Sequence, residues 1–293
     1  MKRILCTAFF LVIAGAAHAQ FGGIDLGRAL DIGKKVVKGA EASRDLSTEE
    51  EVALGEAVTA SFLGAAPLHA DANLQRYVNR VGRWLALHCD RADLPWTFGV
   101  IDTETINAFA MPGGWVIVSS GLVKRLGSES ELAGVLAHEI AHVVKRHQIT
   151  AIQSSAKGDL LTSIGKEVAA DQIARRGGGA MAHQARTWAA NAAADLIKDG
   201  VFLRPLDRSM EYEADQLAVL IATRSGYDPN GLAAALQMLA QQKGDPDGAS
   251  VFSTHPPAAE RLSELERVLV PMERYAPLPQ NERRFRQVIG VLR

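Results

Sequence analysis

Cysteine is scarce in this chain of 293 residues: there are two, Cys6 and Cys89. That excludes a disulfide-dense scaffold. Neither charge is in excess, with 32 Lys+Arg against 33 Asp+Glu and a formal net charge of −1. The chain therefore lacks the basic footprint of a nucleic-acid binder. It has no succession of long apolar runs, which excludes a polytopic membrane protein. No fixed-period repeat is present either, which excludes a solenoid array. What is there is an apolar fraction of 47% with 22% charged residues, the composition of a chain that buries a core. At roughly 100–200 residues per domain, the length allows one large domain or two small ones.

The notable apolar run is the first one. Lys2-Arg3 precedes a mainly apolar stretch from Ile4 to Ala17, and Ala17-His18-Ala19 fits a small-x-small cleavage site. This is the pattern of a signal peptide over residues 1–19, so the expected location is exported and periplasmic. An uncleaved anchor is the alternative, although the run is short for a span of roughly 20 residues. Cleavage would leave 274 residues (293 less 19), a charge of −3 (30 basic against 33 acidic) and Cys89 as the lone thiol. One thiol forms no internal disulfide, so the core or a metal must hold the fold. Cys89 itself reads as a buried packing residue.

Residues 20–46 form an N-terminal arm in which Leu26, Leu30 and Val37 recur at helical spacing beside Lys34, Lys35 and Lys38. It either docks on the body or touches a membrane surface, and membrane association is peripheral at most. Ser47-Thr48-Glu49-Glu50-Glu51 is a capping signature, with Ser47 or Thr48 as N-cap and Glu50 or Glu51 at N3, that opens a helix to about Leu63. A second helix is expected from about Asp71 to Cys89. Trp96–Ile101, Asn107–Met111 and Trp115–Val118 then read as strands, the last two joined by the turn Pro112-Gly113-Gly114. From Ser128 onward the pattern is helical. The expected class is α+β, mostly helical, with a small antiparallel sheet beside the helix of residues 131–144. Between Gln148 and Leu206 lies an alanine-rich insert broken at Gly177–Gly179, readable as a lid over a cleft or as a packing hairpin. The partition is a signal peptide (1–19), an arm (20–46), one domain (47–270) and a C-terminal tail (271–293).

The chemistry is concentrated in His138-Glu139-Ile140-Ala141-His142. Histidines four apart on a helix face the same way and can share one metal ion. Glu139 follows the first of them, where it can reach a water on that metal and act as general base. At this composition the pattern arises by chance in about 1% of chains, and an apolar helix has little other reason to hold two histidines and a glutamate. A catalytic zinc needs a third protein ligand and an open position. Glu211 is the candidate, although an ordinary first-turn glutamate favoured by the helix dipole fits its position as well. Asp215, one turn on, is placed to accept the free N–H of a ligating histidine. Glu213 reads as a surface charge, and Lys145, Arg146 and His147 as a cationic cap on the helix C-terminus. His255, in Thr254-His255-Pro256-Pro257, is either an oxyanion donor, a removable fourth ligand or a plain loop histidine. Arg261, close after it, would hold that loop or a carboxylate in place.

These motifs resemble the zinc metallopeptidase family of the CAAX prenyl proteases, HtpX and the BepA-like periplasmic proteins, a family of gluzincin type. Asn107–Gly114 and Val116–Leu122 resemble its strand pair before the zinc helix, Glu50–Gly55 its opening helix, and Thr254-His255-Pro256 a motif of its bacterial members. The resemblance covers roughly residues 47–270. It implies one zinc ion held by His138, His142 and Glu211, with Glu139 as catalytic base. It also implies polypeptide substrates drawn from unfolded or misassembled envelope proteins, with the outer-membrane assembly machinery as a further partner. Neither intramembrane helices nor a repeat module follows, so prenylated substrates are not implied. Substrate is expected to add as a strand along Trp115 and Val116, with Gly114 letting its backbone approach. Asn107 would hydrogen-bond the peptide or fix the turn. A binding protein of another class, holding clients around a structural or latent zinc, is the alternative reading. The intact Glu139 favours the enzyme.

Overall fold

The local signals of capping and periodicity set most element boundaries. The computed structural model describes residues 46–154, 205–241, 255–269 and 280–292. The expected signal peptide, the arm up to residue 45, the insert from residue 155 to 204 and the tail segment 271–279 lie outside the described residues. Helix α1 (Thr48–Ala65) starts at a true capping box: Ser47 Oγ accepts from Glu50 N–H, and the Glu50 carboxylate accepts from Ser47 N–H. Helix α2 (Ala72–Ala86) is capped by Asp71 and buries Leu74, Val78, Val81 and Leu85 along one stripe. Three short strands follow: β1 (Thr97–Ile101), β2 (Ala108–Met111) and β3 (Trp115–Ser119). A short helix α3 (Ser120–Arg125) leads into the central helix α4 (Glu129–Val144) and then α5 (His147–Gln153). Helices α6 (Arg208–Arg224), α7 (Gly231–Gln241), α8 (Ala258–Leu269) and α9 (Glu282–Ile289) complete the described residues.

The sheet corrects the expectation. Its order is β1-β3-β2, with β1 parallel to β3 and β2 antiparallel to it. It is therefore mixed, and β3 is the middle strand rather than an edge. The reason lies in the connections. The Pro112-Gly113-Gly114 turn makes β2 and β3 a hairpin, with Gly113 at φ 75° and Gly114 at φ 102°. The segment after β1 then has to carry the chain past the place β3 will fill. The outer edge of β1 is already satisfied. Gln75 donates to Val100 O and accepts from Val100 N–H, and Asn79 accepts from Phe98 N–H.

Helix α4 is the spine, and every residue from Glu129 to Val143 except Glu131 is buried. It packs on α6, α7, α2 and β2. The approach of α7 is so close that a Cβ on Gly134 would lie 2.4 Å from Leu232 N, and one on Gly231 2.1 Å from Ser130 O. The two helices meet there backbone to backbone. The N-terminus of α4 is gripped by the C-terminal segment. Buried Glu129 accepts from Tyr77 Oη at 2.5 Å, from Tyr227 Oη at 3.0 Å and from the Arg284 guanidinium. Ser130 N–H donates to Gln280 O, and Phe285, on α9, is wholly buried. Cys89 is a free, buried thiol, and burial pushes its pKa up.

Candidate metal centre

The apolar packing of α4 forces its two histidine side chains into a shared interior space. His138 is 3% exposed and His142 1%, and their Nε2 atoms converge to 3.0 Å. Across from them, α6 delivers Glu211 from its first turn, fully buried. Its carboxylate lies 3.5 Å from His138 Nε2 and 3.6 Å from His142 Nε2. His255, just ahead of α8, brings Nδ1 to 2.8 Å from Glu211 Oε2. One donor atom from each of these four residues falls within 4.8 Å of the others.

Electrostatics show what this space selects. Burial and the Arg261 charge work against protonation of His138, yet Asp215 and Glu211 overcome them and push its pKa up to about 9. Burial also opposes ionisation of Glu211, but His255 and His138 hold its carboxyl far below the ordinary range. The site thus retains an anion in the interior and calls for positive charge beside it. His142 is pushed the other way by burial and by His138, which keeps its ring neutral with a lone pair available. Convergent imidazole nitrogens and a carboxylate oxygen are the donor set of a divalent transition-metal ion, so the residues fit one. Glu139, next to His138 and 3% exposed, has its pKa raised by burial, as a general base requires.

The surroundings fix the histidines. His138 Nδ1 lies 2.9 Å from Asp215 Oδ1, and Arg261 grips the same carboxylate through Nε at 2.9 Å and Nη2 at 2.6 Å. Arg261 is 4% exposed and its Nη1 is 3.8 Å from Glu211. His142 Nδ1 faces His147 Nδ1 at 3.0 Å, and His147 Nε2 lies 3.2 Å from Glu213 Oε2. His147 is therefore not the solvent-facing cap its neighbours suggested. The chain turns through Arg146 at φ 56° after α4 and folds the next side chain back onto the metal helix. Glu213, half exposed and bound to Lys145 as well, is tied to this group rather than being a free surface charge. The sequence signal was there, a histidine five residues past His142, but the left-handed turn that redirects it was not readable.

Other expected site residues lie elsewhere. Trp115 and Val116 sit in the central strand β3, paired on both sides, and Val116 is wholly buried. Gly113 and Gly114 serve packing: a Cβ on Gly113 would meet Val52 Cα at 2.5 Å, and one on Gly114 would touch Trp96. Asn107 is buried, and its Oδ1 accepts from Ala108 N–H. The strand edge that faces the metal helix is β2. Ser119 N–H donates to Asn107 O, so Asn107, Phe109 and Met111 direct their backbone groups toward β3. Alternation then turns those of Ala108 and Ala110 outward. Ala108 also lines a mainly apolar recess beside the site, together with Val135, Leu232, Leu236, Glu139 and His255.

Comparison with known proteins adds the following. The model of peptidase family M48 matches residues 72–269. The beta-barrel assembly-enhancing protease of Escherichia coli (strain K12) is 32% identical over 228 residues, covering 77% of this chain and 45% of that protein. Its counterpart in Yersinia pestis is likewise 32% identical, over 229 residues, with 77% and 45% covered. The mitochondrial metalloendopeptidase OMA1 of Schizosaccharomyces pombe is 31% identical over 191 residues, 65% of this chain and 51% of that protein. The chain spans about half the length of these relatives.

Proposed function

The chain belongs to peptidase family M48, and from that premise we propose that it is a zinc-dependent endopeptidase acting on unfolded or misassembled proteins of the cell envelope. The observation that carries this reading is the juxtaposition of a buried base, Glu139, with four convergent donors from α4, α6 and the start of α8. His138, His142 and Glu211 would hold the ion, with His255 beside them, its Nδ1 2.8 Å from Glu211 Oε2. When bound, zinc supplies Lewis acidity that acidifies water and polarises a scissile carbonyl.

The protein's own residues do the rest. Substrate adds as a strand along β2, where Ala110 presents its outward backbone groups and Ala108 its carbonyl, the Ala108 N–H being held by Asn107 Oδ1, and the apolar recess receives a neighbouring side chain. Glu139 takes the proton of the attacking water on its carboxylate and later delivers it to the leaving amide nitrogen. Its raised pKa makes it able to hold that proton in between. His255, which lines the recess with Glu139, is the donor assigned to the developing oxyanion. Arg261 and Asp215 hold His138 in place throughout. The signal pattern of residues 1–19 supports a periplasmic site of action. The name of the E. coli relative supports outer-membrane β-barrel assembly as the setting.

The test is degradation of casein, an unfolded substrate, by purified protein with and without a zinc chelator. The expected result is chelator-sensitive cleavage that Glu139→Gln abolishes while zinc stays bound. Cleavage by Glu139→Gln at the parent's rate would remove this site as its source.

A further inference from the structure

We propose that His147 and Glu213 are positioning residues for the metal ligand His142, forming a hydrogen-bonded relay that points its Nε2 into the site. The inference rests on the metalloprotease reading but goes beyond the family's ligand set. The geometry fixes the direction of every hydrogen. His142 can bind a metal through Nε2 only with its proton on Nδ1, because a neutral imidazole carries one. That N–H faces His147 Nδ1 at 3.0 Å, which must therefore accept. His147 then carries its own proton on Nε2, and that N–H faces Glu213 Oε2 at 3.2 Å, an acceptor with no alternative role. The far oxygen of Glu213 is held by Lys145 Nζ at 2.6 Å. Only one tautomer at each ring satisfies the whole chain.

The arrangement parallels the other histidine arm. His138 reaches its acidic anchor, Asp215, directly. His142 lies one turn further along α4, and α6 offers Glu213 too far out for direct contact, so His147 spans the gap. Glu211 and Asp215 sit one turn apart on the buried side of α6 as ligand and anchor, while the half-exposed Glu213 between them faces another way and connects through His147. His147 is 4% exposed and buried against this chain of partners, which a merely capping residue would not be. Outer partners of this kind are ordinarily worth 10–100-fold in metal affinity.

The experiment measures zinc dissociation constants on the full chain by chelator competition for the parent, His147→Phe, Glu213→Ala and Glu213→Gln. It also determines the His142 ring tautomer in the metal-free proteins by long-range proton–nitrogen correlation. We expect His147→Phe to weaken zinc binding by about 10–100-fold and Glu213→Ala by about 10-fold. Glu213→Gln, whose amide oxygen still accepts from His147, should recover most of the loss. The Nδ1–H tautomer of His142 should dominate in the parent and be lost in His147→Phe. Unchanged affinity and tautomer in both His147→Phe and Glu213→Ala would overturn the relay. Glu213 is half exposed, so its replacement keeps the fold even if His147→Phe does not. If the parent binds no zinc, the metalloprotease reading falls, while the tautomer measurement still decides the relay.

Discussion

Replacing Glu129 by alanine removes the acceptor that joins α2, α4, the turn between α6 and α7, and the C-terminal segment. Glu129 is wholly buried and holds the hydroxyls of Tyr77 and Tyr227 and the guanidinium of Arg284. Tyr227 is 6% exposed, so its stranded hydroxyl costs about 1–3 kcal/mol. Tyr77 is only half buried and can turn to water, so the low end of that range applies. A carboxylate lost from a helix N-terminus adds about 0.3–1 kcal/mol. The Arg284 side chain is 60% exposed, so its pairing contributes about 1 kcal/mol or less. The sum is about 2–6 kcal/mol, read as a fall in the urea midpoint with an unchanged slope. The companion Arg284→Ala should cost no more than about 1 kcal/mol. A Glu129→Ala loss of the same small size as Arg284→Ala would refute the reasoning, because it would mean that the two tyrosines find other acceptors.

Other outcomes follow from the same contacts. The Tyr77 and Tyr227 phenols are pushed up, first by burial and then by Glu129. A raised folded-state pKa contributes stability that is whole below the unfolded value of about 10 and lost as pH rises beyond it. Alkaline titration of unfolding should therefore show destabilisation starting near pH 10 that the double Phe variant flattens. Gly134→Ala sets a methyl group against the backbone of Leu232, and thermal unfolding should report a loss of about 3 kcal/mol or more. Arg261→Lys gives up the two-pronged hold on Asp215, and chelator competition should show about 10-fold weaker zinc binding without loss of helical circular dichroism.

Local chemistry was legible in the sequence. The Ser47–Glu50 capping box, the histidine pair on α4 and the 211/215 spacing on α6 are patterns of three or four residues, and the backbone realises each as read. What was not legible depends on contacts between distant segments. No period in Trp115–Ser119 says whether it pairs on one side or two, and its place between β1 and β2 comes from the path of the chain after residue 101. The double glycine looked like a door for substrate, while its positive φ values and its contact with α1 belong to the hairpin. Nothing in the sequence marks Glu129, whose partners Tyr77, Tyr227, Asn281 and Arg284 lie 52 to 155 residues away. His147 needed the left-handed turn at Arg146 before its role could be seen.

The contact of Gly134 with Leu232, and of Gly231 with Ser130, gives α7 a fulcrum. At that end the helix has no side chain left to trim and no room to approach α4 further. The recess beside Glu139 is walled along the rest of α7 by Ala235, Leu236 and Leu239. Its width is therefore set by side chains downstream of a fixed pivot. Substitutions at those three positions can reshape what the recess admits while His138, which shares its wall, is held in place by Asp215. The fold separates the part that can be retuned from the part that cannot move.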